Sequence, residues 1–226
     1  MSIFQPLITN VSVALGGGGV ASINANVLIV GRTKMGGDVR CVGGITEEGR
    51  SVRLLSPTGG NLNVHAPYQI GQLWNMTFTP VSLLRAPHVE DVLVTNARFV
   101  GVVPDVSSYL LERLSPWRGG IGQVFGGFIR FTGNNNGYVA ERIGVPGCST
   151  WFWVSDRDLS LRRDGRHYDY VSSFIQNKGF SYVGEPDPLP VLTAGTLLRV
   201  SLARWWRPED QPDMEERCYL QLSGWF

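Results

Sequence analysis

Residues 27–55, VLIVGRTKMGGDVRCVGGITEEGRSVRLL, restrict the fold more than any other stretch of the chain. Val27-Leu28-Ile29-Val30 is a short apolar run of the kind a buried first strand requires. Met35-Gly36-Gly37-Asp38 supplies a turn, because glycine tolerates backbone angles that other residues avoid. Asp38–Ile45 and Arg50–Leu55 are expected to pair across Thr46-Glu47-Glu48-Gly49 as a hairpin. Folding at that turn puts Val39, Cys41, Gly43 and Ile45 on one face with Val52 and Leu54. It puts Arg40, Val42, Gly44, Thr46, Ser51, Arg53 and Leu55 on the other. The first face reads as core and the second as available to a ligand, as in an antiparallel sheet wetted on one side. Gly43-Gly44 permits the sharp coiling of a small barrel.

Strands continue beyond the hairpin. In Gly71–Thr79, Trp74, Met76 and Phe78 alternate inward while Leu73, Asn75, Thr77 and Thr79 point away. Val92–Val103 is β-rich, which brings the first half to about five strands, the count of one small barrel. Asp105–Leu114 is the best helix candidate: Asp105 or Ser107 caps it, Leu110, Leu111 and Leu114 share a face, and Pro116 ends it. The second half repeats the β grammar. Trp151–Val154 is a strand, and Asp158–Val171 is a hairpin closed by Asp164-Gly165, with Leu161 opposite Tyr168 and Leu159 opposite Tyr170. Ser172–Lys178 reads as a short helix stopped by Gly179. Thr196–Trp206 and Arg217–Phe226 are two last strands.

Charged residues make up only 17% of the 226 positions, which disfavours long solvated helices. A net charge of +1 provides no global field to gather nucleic acid. Of the 20 basic residues only Lys34 and Lys178 are lysine. Arginine contacts phosphate in bidentate fashion and stacks on flat rings, although codon bias explains the excess equally well. The three cysteines form neither a disulfide framework nor a zinc pattern, and Cys41 and Cys218 read as buried core thiols. No apolar stretch spans a membrane, and no basic region precedes the apolar N-terminal residues as in a secretory signal, so a cytoplasmic location is expected.

The opening motif is followed by Ala86-Pro87-His88-Val89-Glu90-Asp91, LARWWRPEDQ and the terminal ERCYLQLSGWF. Together these resemble the bacterial dual OB-domain family from about residue 27 to the C-terminus; Gly119–Thr150 carries no part of the likeness. The resemblance implies an all-β fold of two OB-like Greek-key barrels with short connecting helices. It also implies a nucleic-acid-binding module, associated with prokaryotic defence and nucleic-acid-processing systems, with nothing catalytic. The expected organisation is a flexible N-terminal arm over residues 1–26, a first OB-like barrel over 27–104, a helical linker over 105–120 and a second OB-like barrel over 121–226. The family carries no binding residues over to this chain.

OB barrels bind single strands with positive groups along the backbone and aromatics that stack on bases. The candidates in the first half are Arg32, Lys34, Arg40 and Arg53, with Arg40 and Arg53 pointing the same way from the hairpin. Those in the second half are Trp205, Trp206, Arg207, Tyr219 and Trp225. A solvated sheet face and structural tryptophans account for the same residues. His88 and Glu90 share a strand face, but one such pair is not a metal site, and a hydrogen-bonding role is expected. No cofactor, metal or hydrolytic activity is expected, since no nucleophile sits beside a base. Three functional classes follow. One is a single-strand DNA or RNA binder acting as a recognition subunit beside a protein partner encoded nearby. Another is an adaptor that docks a motor or nuclease without touching nucleic acid. The third is an enzyme with a dispersed site.

Overall fold

The computed structural model describes residues 21–171 and 177–226. The first half contributes β1 (Ile23–Lys34), β2 (Val39–Thr46), β3 (Ser51–Leu55), β4 (Leu62–Asn63), β5 (Gln72–Pro80) and β6 (Asp91–Val102). Five of these close a ring: β1 pairs with β5, β5 with β6, β6 with β3, β3 with β2 and β2 with β1, while β4 adds to β2. The β3–β6 pairing is parallel, and the rest of the ring is antiparallel. Closure removes the exposed edges that an open sheet of this size would carry. Val27, Ile29, Val42, Val52, Leu54, Met76 and Phe78 fill the interior.

The helix α1 (Val106–Arg113) follows, with the Asp105 carboxylate accepting from the Ser108 N–H as its cap. Leu110 and Leu114 are buried, whereas Leu111 is 41% exposed. The second half contributes β7 (Trp117–Gly119), β8 (Arg130–Phe131), β9 (Gly137–Val139), β10 (Thr150–Ser155), β11 (Leu159–Leu161), β12 (His167–Val171), β13 (Asn177–Tyr182), β14 (Val191–Leu192), β15 (Leu197–Leu202) and β16 (Cys218–Trp225). These run β14-β11-β12-β13-β16-β15-β10-β7, with β8 and β9 joined through β16. The sheet wraps a separate core that includes Trp153, Tyr168, Phe180, Leu198 and Leu222. The chain is therefore all-β with two OB-like halves. The Leu159–Tyr170 and Leu161–Tyr168 pairs match the register expected from the Asp164-Gly165 turn.

Three expectations need correction. Residues 1–20 of the expected arm lie outside the described residues, but the first barrel begins at Ile23, inside the stretch assigned to that arm. Asn24 and Asn26, poor strand formers, hid this extension. Their side chains bond Asn75 across the β1–β5 pair instead. Of the helix expected over 172–178, residues 172–176 lie outside the described residues. Lys178 and Gly179 are extended within β13 and pair with Tyr170 and Asp169.

The third correction concerns the faces of the β2–β3 hairpin. Thr46 N–H bonds Arg50 C=O and Ile45 pairs with Ser51, so the loop is the three residues Glu47-Glu48-Gly49, with Gly49 at a φ of 80°. An odd loop pairs odd-numbered residues with odd-numbered ones, and a one-residue change of register moves every side chain to the other face. Val42, not Cys41, therefore joins Val52 and Leu54 in the core, while Arg53 pairs with Gly43. Arg40 and Arg53 lie on opposite faces. Cys218 is buried as expected, but Cys41 is only half-buried and sits on the outer face.

A third apolar cluster joins the two halves. Leu28, Val30 and Ile45 from the first barrel meet Leu110 and Leu114 of α1 and Phe152 and Leu197 of the second sheet. The Val27–Val30 run is continuous because alternate residues serve the barrel core and this joint.

Candidate nucleic-acid interface

The outer face of the β2–β3 hairpin is turned onto the second sheet. Ile45 is buried in the joint, and the Ser51 hydroxyl lies 2.9 Å from that of Thr150. Arg53 makes a bidentate pair with Asp91, which also accepts from Arg204 at 3.0 Å. Burial is the largest single influence and works against both charges, but the Arg53–Asp91 hydrogen bond, their mutual attraction and the neighbouring Cys41 and Arg204 together outweigh it. The Arg53 pKa rises, and the Asp91 carboxyl is held below its ordinary value with help from Arg204. Arg32 is only 3% exposed. It donates to Glu185 and to the carbonyls of Val64, Ala66 and Tyr68, so it pins the loop ahead of β5. Arg40 shares Glu185 and also donates to the Gly37 and Val39 carbonyls. The Arg32 hydrogen bond chiefly lowers the Glu185 pKa; burial opposes it and Arg40 adds to it. The expected arginine row thus does not assemble: its members are distributed among intramolecular partners. Lys34 alone of the four is exposed.

A cleft of about 310 Å³ opens between the halves where this face is not covered, and Lys34, Cys41, Arg53, His88, Glu90, Arg199 and Arg204 are among its lining residues. Glu90, 5% exposed, accepts from the Ser149 N–H, the Ser149 hydroxyl and, at 3.1 Å, the Thr150 N–H. His88 Nε2–H donates to the Ala203 carbonyl at 3.1 Å. Burial, reinforced by Arg204 and Arg53, pushes the His88 pKa down to about 4. The 88–91 segment therefore straps the first barrel to the second, as expected of residues whose role is hydrogen bonding. Among the described residues no three His, Cys, Asp or Glu side chains cluster to hold a metal.

On the second half, the expected aromatic platform separates into three parts. Trp205 leaves it: its Nε1 donates to the Ala86 carbonyl at 2.8 Å, and Arg85 lies 4.6 Å over its ring. Trp225 packs on the second core beside Tyr182, ring centroids 5.3 Å apart. Trp206 and Tyr219 do come together, with centroids at 6.0 Å. Tyr138, 6.4 Å behind Tyr219, supports them, and Arg217 covers Tyr138 at 4.2 Å. The Trp206–Arg217 backbone bridge anchors the main chain that carries the indole, which remains 52% exposed. Arg207 beside it is exposed and has no salt bridge among the described residues. Arg142 and Arg217 both pair with Glu215, and Arg85 pairs with Glu141 and Glu216, so neighbouring charges largely cancel.

Tyr138, Arg217 and Arg199 were not legible as site residues. For Arg199 a signal existed: an arginine within the apolar run Leu197-Leu198-Arg199-Val200 needs a buried polar partner or a ligand.

The sequence model of the dual OB-containing domain matches residues 25–225. No curated protein matches the chain. A crystal structure described as a toxin-related protein from Parabacteroides distasonis aligns over 90% of this chain and 94% of that one at 8% identity. Its TM-score of 0.24 is too low to bear on fold or function.

Proposed function

The chain belongs to the dual OB-containing domain family, and from that premise we propose that it binds single-stranded nucleic acid through the Trp206–Tyr219 strip of its second barrel. The observation that carries this reading is the Trp206 indole, half-exposed yet carried on a bridged main chain and packed against Tyr219. An aromatic held ready in this way stacks on a base without first losing much conformational freedom. Arg207, exposed beside it in sequence, is the candidate for the adjoining phosphate.

The protein acts as a non-catalytic recognition subunit of a prokaryotic defence or nucleic-acid-processing complex, in the cytoplasm, with its chemistry supplied by a protein partner encoded nearby. The engagement of His88 Nε2 and of both Glu90 oxygens in strapping the halves together supports the non-catalytic part. Among the described residues no helix is long and apolar enough to cross a membrane. The test is Trp206→Ala, titrated against single-stranded oligonucleotides by fluorescence anisotropy. Losing one stacked base costs about 1–3 kcal/mol, roughly tenfold or more in affinity. Unchanged affinity in a folded variant removes the strip from consideration.

One observation favours the adaptor as second reading. Phe99, Val100 and Val102 on β6 are 46%, 45% and 64% exposed, an apolar edge suited to a protein. A parent protein that binds no oligonucleotide, alone or with its partner, makes this the better account.

A further inference from the structure

We propose that the cleft between the two barrels is a binding site for a phosphoryl group, gripped by Arg199 and Lys34 and carried by a ligand of mononucleotide size. The site shares no residue with the Trp206 strip and stands or falls independently of it.

Arg199 projects from β15 and is only 5% exposed. Its Nη1 donates to the Ser223 hydroxyl at 2.8 Å, and that hydroxyl donates onward to the Arg199 carbonyl at 3.0 Å. No carboxylate forms a salt bridge with it among the described residues. Residues 1–20 and 172–176 contain no Asp or Glu, so they supply no carboxylate either. Glu90 faces the same cleft, but its oxygens are committed to Ser149 and Thr150. Burial accordingly draws the Arg199 pKa below its ordinary value, with only partial compensation from Cys41 and Glu90. A buried charge that is only partly compensated is destabilising, and an anionic ligand would offset this.

The backbone around Arg199 is shaped to receive it. The guanidinium lies flat on the outer face of the β1–β2 pair, where Gly31 faces Gly43. A Cβ at Gly31 would sit 2.8 Å from Nη1, and one at Gly43 would collide with Nη2. A bulge between Ile29 and Gly31 brings these two glycines opposite each other. The guanidinium is thereby held rigidly, so its fork is oriented before a ligand arrives.

Charge and volume select the ligand. Lys34, Arg53, Arg199 and Arg204 line the cleft against a single carboxylate, Glu90. Asp91 offsets part of this, being shared by Arg53 and Arg204. Lys34 and Arg199 make no salt bridge among the described residues, and a phosphoryl dianion satisfies both through a bidentate fork and a point charge. About 310 Å³ exceeds what phosphate alone needs and lies at the lower end of small-ligand pockets. Met35, Val183, Leu202 and Ala203 offer apolar wall for the remainder of the ligand.

The experiment is thermal unfolding and calorimetric titration of the full chain with inorganic phosphate and with adenosine 5′-monophosphate, at ionic strength matched with chloride. Phosphate should raise the melting temperature and the nucleotide should raise it further. Arg199→Met should abolish the response. Lys34→Ala, at the exposed rim, should weaken binding about tenfold, as expected for loss of one charge-assisted hydrogen bond. Lys34→Glu keeps the test decisive should Arg199→Met not fold, since it reverses the rim charge at an exposed side chain that makes no salt bridge among the described residues. A 5′-phosphorylated oligonucleotide compared with its 5′-hydroxyl twin separates the sources. Preference for the phosphorylated strand assigns the terminal phosphate of nucleic acid; no preference, with the mononucleotide still bound, assigns a free nucleotide. The proposal is overturned by a parent that responds to neither phosphate nor nucleotide, or by variants that respond as the parent does. A thiolate absorbance lost in Cys41→Ser, in a protein indifferent to phosphate, overturns it too, by assigning the counter-charge to Cys41.

Discussion

The outer face of the β2–β3 hairpin and the Trp206–Tyr219 strip of the second barrel present similar chemistry with opposite access. Each carries arginine beside residues suited to a ligand. On the first barrel that face is pressed onto the second sheet, and Arg53 is consumed by Asp91. On the second barrel Trp206 and Arg207 stand in solvent. In a two-barrel chain, one barrel's binding face can serve as the joint that positions the other. Arginine on a strand marks a recognition surface only when its own chain has not already claimed it.

The contrast requires the joint to be permanent, and Glu90→Gln strains it most. The carboxylate satisfies two backbone N–H groups and a hydroxyl in a site only 5% exposed. An amide there loses the charge and turns one donor toward other donors. Breaking a buried charged interaction on one side costs about 3–5 kcal/mol, so the urea midpoint should fall steeply. A loss below about 1 kcal/mol, the worth of an ordinary hydrogen bond, would show that the barrels are held by the apolar cluster alone.

A smaller effect comes from acid. His88 has its pKa depressed from 6.5 to about 4. The folded state therefore resists the proton that the unfolded chain accepts. The stabilisation is full above the unfolded value and is lost as pH falls from about 6.5 to about 4, a change of roughly 2–3 kcal/mol. Asp91, lowered from 3.8, adds a loss in the same direction at still lower pH. Urea midpoints measured from pH 8 to pH 4 should decline, and His88→Gln should flatten the decline. If the slope persists in His88→Gln, acid acts elsewhere than on the strap.

Legibility in the sequence followed the range of the determining interaction. Strands set by local alternation were readable: Trp74, Met76 and Phe78 point inward as their spacing requires. So was α1, whose cap is three residues from its donor. The β2–β3 faces were not, because one residue of loop length, fixed by Gly49 in the left-handed region, decides the parity of the pairing. Nor was the covering of the outer face. It depends on contacts such as Ser51 with Thr150 and His88 with Ala203, about a hundred positions apart in sequence, that no local pattern encodes. Of the candidate site, Arg207 and Tyr219 stay together at the surface around Trp206. Trp205 and Trp225 are diverted by Ala86 and Tyr182, partners chosen by the tertiary fold.

The finest test sets Arg207 against Arg40. Arg207 is exposed and lacks a salt bridge among the described residues, so Arg207→Ala should leave stability within about 0.5 kcal/mol. If it meets a phosphate, its loss releases one fewer counterion, and the slope of log affinity against log salt should flatten by about one unit. Arg40→Ala should behave in the opposite way. Glu185 keeps Arg32 as partner, so the stability loss should be modest, about 1 kcal/mol. The salt slope should not change, because Arg40 already spends its donors on Glu185 and on the Gly37 and Val39 carbonyls. Both slopes come from one series of single-strand titrations between 50 and 200 mM salt, roughly the range in which counterion release dominates affinity. A flattened slope for Arg40→Ala with none for Arg207→Ala would mean that the first barrel holds the strand, on the side away from the covered face that carries Arg53. The division between a positioning barrel and a reading barrel would then be reversed.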